Sequence, residues 1–521
     1  MDQWVKGPKD IIYFAIDKPV VLKRFRYDDI DLLMREVSVL KAIDHPNIIK
    51  FSEFQHFRYD DMVGYTMKRY QFDLDGYTKY KPTRPIEEDI AIIDQLLAAL
   101  KFLHKHNIWH RDVKQQNVLA DIVDQQPQIV LCDFGSCRTD CREGHEYTGG
   151  LQTLPWRAPE VAFELPAYGN KIDAFSTGML IAGLISNRLI IYELPDHALS
   201  FKRLLSKQLI SLLGNFDGAS WLGVQGSVAF EEYRAEANER GPGDWWVFYF
   251  DRYAPRATTA LIDLIRSLTI PNPAYRKSIL EVAGHVADVG SFTIQESCPA
   301  QVDDPIFNNT LVVANDILKE NHTFMPLRDI LWRYRQRAEW DEFEIPFVAG
   351  ALYFMINNFT AAEDIVSVYS VARQIRPFIG AFTKYCQKDT FQPLIEKIIV
   401  IFAALDYNIV VNNQLRTLLD QHHSVQTYQL SSREGRKTIE TNVAGLCRYV
   451  SFYPAQSLEL TTLVQVAIVL TAKYFKVKHA DDYDKSAYEQ LIAILKTEPL
   501  MIKASSYYER AKPSIEMLLR H

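Results

Sequence analysis

Apolar residues fall into two registers along the chain. Residues 19–23 (Pro-Val-Val-Leu-Lys) and 128–132 (Gln-Ile-Val-Leu-Cys) are short β-branched runs bounded by turn residues, and predict strands. Over 28–42, Ile30, Leu33, Val37 and Leu40 repeat at helical spacing, with Asp28 or Asp29 placed to cap the helix. Up to about residue 290, short strands, loops and helices alternate. The stretch 284–305 is polar and unpatterned. Beyond it nearly every segment has helical length and period, and no short-period repeat or low-complexity tract occurs. The expected fold class is therefore α+β followed by all-α: a domain over 1–290, a linker over 291–310 and a helical domain over 311–521.

A chain of 521 residues is too long for one core. Hydrophobic residues at 48% and charged residues at 24% mark a globular protein. With 58 Lys and Arg against 65 Asp and Glu, the net charge is −7, so no positive excess exists to meet nucleic-acid or membrane phosphates. The six cysteines (Cys132, Cys137, Cys141, Cys298, Cys386 and Cys447) form no disulfide framework, which favours a reducing compartment. The first ten residues lack the apolar region of a secretory signal. The most apolar stretches, 345–356 and 398–404, fall short of the roughly 18 residues a membrane span needs. A soluble protein of cytoplasm or nucleus is expected.

Chemistry concentrates in spaced segments. His110-Arg111-Asp112-Val113-Lys114-Gln115-Gln116-Asn117 is followed by Asp133-Phe134-Gly135 and then by Arg157-Ala158-Pro159-Glu160, while Lys23 and Glu36 lie upstream. One tripeptide would mean little, but the order and spacing of the whole set resembles the protein-kinase signature. The chemistry of phosphoryl transfer explains the residue types, because its transition state spreads negative charge over phosphate oxygens that the protein must position and neutralise. The resemblance implies a bilobal protein kinase fold, with a small β-rich N-lobe over about 1–67 and a helical C-lobe over about 68–290. It also implies ATP and Mg²⁺. Asp133 and Asn117 would hold the metal, Lys23 would contact the phosphates and pair with Glu36, Asp112 would accept the substrate hydroxyl proton, and Lys114 would steady the γ-phosphate. Residues around Gly64-Tyr65-Thr66-Met67 are expected to hold the adenine through backbone groups.

The likeness narrows further. Arg35-Glu36-Val37-Ser38-Val39-Leu40-Lys41 and His45-Pro46-Asn47-Ile48 resemble the cyclin-binding helix of cyclin-dependent kinases and the loop after it. Residues 153–160 resemble that family's activation-segment ending, and 213–218 with 221–224 its insert. Pro271-Asn272-Pro273-Ala274-Tyr275-Arg276 resembles the motif whose Arg pairs with the Glu matching Glu160. The resemblance implies that Thr148, once phosphorylated by an activating kinase, is gripped by Arg35, Arg111 and Arg138. It implies Ser/Thr substrates through Lys114 and Thr153, and a following Pro through Arg157, although Gln152 stands where the family is usually apolar. The chain departs from the family in its glycine loop: residues 5–13 keep only Gly7 as a nucleotide-binding glycine, and Asp10 puts a carboxylate where phosphates come.

In the C-terminal half, 327–332 resembles the opening of a cyclin box, 351–357 its next helix, 381–385 the helix whose Lys (here Lys384) contacts the kinase, and 394–407 the later helices with their Glu, here Glu396. Residues 463–474 continue a weaker helical set. The expected protein is thus a Ser/Thr kinase activated by its own cyclin-like domain and by modification of Thr148, acting on protein Ser/Thr-Pro sites, without nucleic acid or membrane partners. Such fusions resemble kinases of large DNA viruses, which would place the protein in a host cell's cytoplasm or nucleus. Two alternatives stay open: a pseudokinase scaffold with a partner-recruiting helical half, and an active kinase that needs an external cyclin. Cys137, Cys141 and His145 share metal-like spacing but lack a fourth ligand, so ordinary thiols are expected.

Overall fold

The computed structural model describes residues 4–6, 12–139, 151–165, 168–188, 245–293, 305–317, 324–342, 344–360, 367–379 and 391–410, with isolated residues between and beyond them. The chain divides into two compact units, Met1–Thr293 and Ile294–His521.

The first unit begins with β1 (Trp4–Lys6), β2 (Ile12–Ala15) and β3 (Val20–Arg26), followed by α1 (Ile30–Ala42), the short β4 (Ile43–Asp44), β5 (Phe51–Phe57) and β6 (Met62–Lys68). Its main sheet is antiparallel in the order β1-β2-β3-β6-β5. The expected strand at 19–23 continues to Arg26, because pairing with β6 runs on through Arg26 opposite Met62. Lys23 lies directly opposite Tyr65 on β6. Helix α1 starts later than expected, at Ile30, because residues 27–29 form a 3₁₀ turn. Asp29 occupies the cap position without a side-chain cap bond, since its backbone (φ −106°, ψ 16°) is not the extended one that aims a carboxylate at the first amides. Ile30, Leu33, Val37 and Leu40 are all buried, as their spacing predicts.

The rest of this unit is mainly helical: β7 (Phe72–Asp73), α2 (Leu74–Tyr80), α3 (Ile86–Lys105), β8 (Val118–Val123), β9 (Gln126–Leu131), α4 (Pro159–Ala162), α5 (Lys171–Ser186), α6 (Trp245–Tyr253), α7 (Thr259–Leu268), α8 (Ile279–Val282) and β10 (Ser291–Phe292). A β-rich lobe and a helical lobe are thus present, as the motifs imply. Helix α3 carries Glu87, Glu88 and Asp89 in its first turn and His104 and Lys105 in its last, which complements its dipole. Helix α5 is almost wholly buried and ends on Asn187 in the left-handed conformation, a common helix stop. Glu160 and Arg276 form the expected pair, a two-pronged bond of 2.7 and 2.9 Å between buried groups.

Inside the stretch expected as a linker, Ser291–Phe292 pairs with β4 and a helix opens at Pro305. The second unit contains α9 (Pro305–Ile317), α10 (Phe324–Arg335), α11 (Ile345–Thr360), α12 (Val368–Ile379) and α13 (Phe391–Ala404) among its described residues. The apolar α11 touches each of the other four. Val348, Leu352 and Ile356 are buried in it, and Gly350 admits close approach: an added Cβ would stand 2.7 Å from Ile375 Cγ2. Segments 327–332 and 351–357 lie on α10 and α11. Helix α13 stops before 405–407, where Asp406 and Tyr407 take positive φ. Residues 381–385, including Lys384, and all but two residues of 463–474 lie outside the described residues. Among the described residues no helix is long and apolar enough to cross a membrane.

His45 follows β4, is buried, and accepts the Asn47 N–H at its Nδ1 (3.0 Å). Burial pushes its imidazole down from 6.5 to about 4, with Asp44 and Asp288 opposing. The unfolded chain binds this proton near pH 6.5 and the folded one resists until about 4, so stability is lost as pH falls through that window. Urea unfolding at pH 7, 5.5 and 4 is expected to show that loss, and His45→Asn to remove part of it.

Candidate active site

Three elements meet at Lys23. Its ammonium, on β3, donates to Glu36 Oε1 and Oε2 on α1 (3.0 and 2.8 Å) and to Asp133 Oδ1 after β9 (2.9 Å). Glu36 is 1% exposed and also accepts the Phe134 N–H at 3.1 Å. Burial works against the charge on Lys23, but Glu36 and Asp133 outweigh it and hold the ammonium more firmly protonated than usual. Burial raises Glu36, with Lys23 pulling it back. Burial would raise Asp133 too, yet Lys23 dominates and lowers it to about 2, so it is a carboxylate at any physiological pH.

A second constellation surrounds Asp112. Its Oδ2 accepts from Lys114 Nζ at 2.6 Å and from Asn117 Nδ2 at 3.1 Å. Its Oδ1 accepts from Thr153 N–H at 3.0 Å and from the Thr153 hydroxyl at 2.8 Å. The same hydroxyl oxygen accepts from Lys114 Nζ at 2.8 Å. The loop is joined to the strand before Asp133, because His110 Nε2 meets Cys132 O at 3.0 Å and the Cys132 N–H donates to Asn117 O at 2.8 Å. His110 Nδ1 faces the Asp112 N–H at 3.3 Å, so Nδ1 accepts and Nε2 carries the proton.

Asp173, on α5, supports that loop from beneath and was not singled out in the sequence. Fully buried, its carboxylate accepts the N–H groups of His110 and Arg111 (each 2.8 Å) and His104 Nε2 at 3.0 Å. Arg111 has positive φ (64°), a strained conformation that these bonds hold. The available signal was one acidic residue inside the apolar run that forms α5, since a buried carboxylate must have partners.

A protein kinase domain model matches residues 12–286, more than half of the chain. The chain belongs to the protein kinase family. It is similar to "Cell division control protein 2 homolog 3" of Trypanosoma brucei brucei, 28% identical over 305 residues, which is 55% of this chain and 89% of that protein. It is also similar to a protein named "Probable serine/threonine-protein kinase" from Arabidopsis thaliana, 28% identical over 202 residues. That match covers 37% of this chain and about a third (35%) of the relative. Among solved structures it resembles a chain in the crystal structure of the yeast RNA Pol II CTD kinase CTDK-1 complex, with TM-score 0.46 and 21% identity over 54% of this chain and 90% of that one.

Within the kinase domain, the expected site residues Lys23, Glu36, Asp112, Lys114, Asn117 and Asp133 are brought together. Gly7 lies outside the described residues, as do Thr148, Cys141 and His145. The three arginines expected around Thr148 do cluster. Arg35 donates to Gly135 O (3.1 Å), Arg111 to Ser136 O (2.7 Å) and Tyr168 Oη (3.0 Å), and the Arg138 main chain bridges to Trp109. All three are buried and bear on Cys137, whose thiol burial pushes up to about 12 against their opposing charge. One expectation is corrected. Residues 64–67 cannot offer free backbone groups, because β6 is hydrogen-bonded to β3 on one side and β5 on the other. The strand ends at Lys68, and just beyond it the Arg69 N–H still donates to Pro19 O at 2.8 Å.

Asp173→Asn keeps the shape but removes the charge that three donors share. Charge-assisted bonds of this kind contribute about 1.5–3 kcal/mol each, so kcat is expected to fall roughly tenfold or more while the KM for ATP changes little. Steady-state kinetics with varied ATP checks this.

Proposed function

We propose that this chain is a serine/threonine protein kinase of cyclin-dependent type, which transfers the γ-phosphate of ATP to protein Ser or Thr residues with Mg²⁺ and is activated by its own C-terminal cyclin-like half. The observation that carries the reading is the Asp112 carboxylate held by Lys114, Asn117 and Thr153 beside the Lys23–Glu36–Asp133 cluster. The name of the trypanosomal relative agrees with the type.

Ionised Asp133 and the Asn117 carboxamide supply the hard oxygen donors that Mg²⁺ prefers. When bound, the ion neutralises charge on the phosphate oxygens. Lys23 presents a fixed positive charge to the phosphates, kept in place by Glu36. Asp112 takes the proton of the substrate hydroxyl, which displaces one of its present donors, and Lys114 balances charge at the transferred group.

A preference for Pro after the acceptor residue is supported at the activation-segment end. Gln152 has φ of 64°, and its carbonyl accepts from Arg157 Nε and Nη2 (3.2 and 2.9 Å). That carbonyl is therefore taken, and an incoming N–H would be left without it, whereas Pro has no N–H to satisfy. The unusual Gln152 does not face outward. Its carboxamide is buried, donates to Ser176 Oγ (2.7 Å) and Ile172 O (3.2 Å) and accepts the Ala158 N–H (2.9 Å), which ties down the turn. The helices carrying the cyclin-box-like segments support the reading of the second unit, and tethering would replace bimolecular encounter by an effective concentration of about millimolar.

Phosphate transfer from labelled ATP to a Ser-Pro peptide, with Mg²⁺ and no added partner, tests the proposal. The full chain is expected to be active, a 1–295 truncation nearly inactive and Asp133→Asn inactive. A full chain that transfers nothing even with Thr148 phosphorylated would overturn it in favour of a scaffold, and a chain active only with added cyclin would move the activator outside the molecule.

A further inference from the structure

We propose that residues 286–293 form a strap that ties the C-terminal end of α1 to α3 and so positions Glu36 for its pair with Lys23. The strap is anchored first on α3. Lys101 Nζ donates to Val286 O at 2.5 Å, and Lys105 pairs with Asp288. It then crosses to α1. Phe292 lies opposite Ile43 and Ser291 opposite Asp44 in the β10–β4 pair, and the Thr293 N–H donates to Ala42 O at 2.7 Å. Ala42 is the last residue of α1, and final-turn carbonyls have no partner within their own helix, so the strap supplies one from outside.

The passage between the helices is tight. Gly290 has φ of +103°, and an added Cβ would stand 2.8 Å from Asp44 O, 2.9 Å from Phe102 Cε2 and 3.0 Å from His45 Cδ2. A row of rings joins the same parts: Phe292 stacks on His106 (4.6 Å between centroids, 19°), His106 meets Phe102 at 4.8 Å, and Phe102 meets His45 at 5.1 Å. The C-terminal end of α1 therefore cannot part from α3 without breaking main-chain bonds and separating packed rings. Among the described residues no hydrogen bond, ion pair or ring contact joins the strap to Lys23, Glu36, Asp112 or Asp133, so its action on catalysis runs through the position of α1.

The activity part of this inference rests on the role proposed above for the Lys23–Glu36 pair; the structural part does not. The test uses the full chain with Gly290→Val, which forces the strap out, Phe292→Ala, a milder lesion, and Phe292→Tyr, which keeps the stacked ring. Amide hydrogen exchange is read in 34–42 on α1 and, as an internal reference, in 174–186 on α5. In Gly290→Val and Phe292→Ala, exchange on α1 is expected to quicken about tenfold, the factor for losing one or two net hydrogen bonds, with α5 unchanged. The KM for ATP rises only by the factor by which the competent fraction falls, and Phe292→Tyr behaves as the wild type. Two outcomes overturn the strap: exchange that quickens at 291–293 but not on α1, or exchange that quickens equally on α1 and α5, which is general destabilisation. If the wild-type chain transfers no phosphate, the proposed function fails by itself, and the exchange pattern still decides the strap.

Discussion

The first unit depends on one cluster of charge in which Lys23 and Glu36 are buried and Asp133 is partly exposed. Lys23, Glu36 and Asp133 come from a strand, a helix and a loop, the last 110 residues beyond Lys23, and they share bonds of 2.8–3.0 Å. Removing an ammonium and a carboxylate from water costs several kcal/mol for each ion, so the cluster persists only where the surrounding fold fixes all three together. That cost gives the cluster its use. An arrangement that is favourable only in one geometry reports, and enforces, the relative placement of β3, α1 and the segment after β9.

Around this cluster, buried polar groups support one another in series. Asp173 holds the backbone of the loop, the loop holds Asp112, and Asp112 is shared with Thr153 from a segment some forty residues further on. Gln152 and Arg157 fix the turn next to Thr153. Asp173, Asp112, Thr153 and Gln152 are each held by named donors or acceptors, which is what lets a polar network specify one structure rather than weaken it. The apolar helices beneath provide a rigid base, and Glu160–Arg276 ties the activation-segment end to the segment after α7.

Legibility in the sequence followed the strength of local constraint. That Lys23, Glu36 and Asp133 meet, that Asp112, Lys114 and Asn117 meet, and that Glu160 pairs with Arg276 was readable because the order and spacing of their motifs are distinctive. The β-branched run of β3 and the apolar period of α1 were readable because one buried face imposes its own repeat. Asp29 misled because capping depends on backbone angles as well as residue type. Residues 64–67 misled because whether a backbone group is free depends on which strands lie beside it. Asp173 went unread because its partners are two amides and an imidazole at other places in the chain.

The sequence by itself determined the chemistry the chain can offer, the alternation of strands and helices up to about residue 290, and the helical character of the described segments beyond. These follow from side-chain type and from periods of a few residues. Only the tertiary structure decided that Arg35, Arg111 and Arg138 gather about Cys137, that Gln152 turns inward, and that Gly290 carries the chain between α1 and α3. Those are contacts between residues tens to hundreds of positions apart, and no local pattern encodes a distance across folded space.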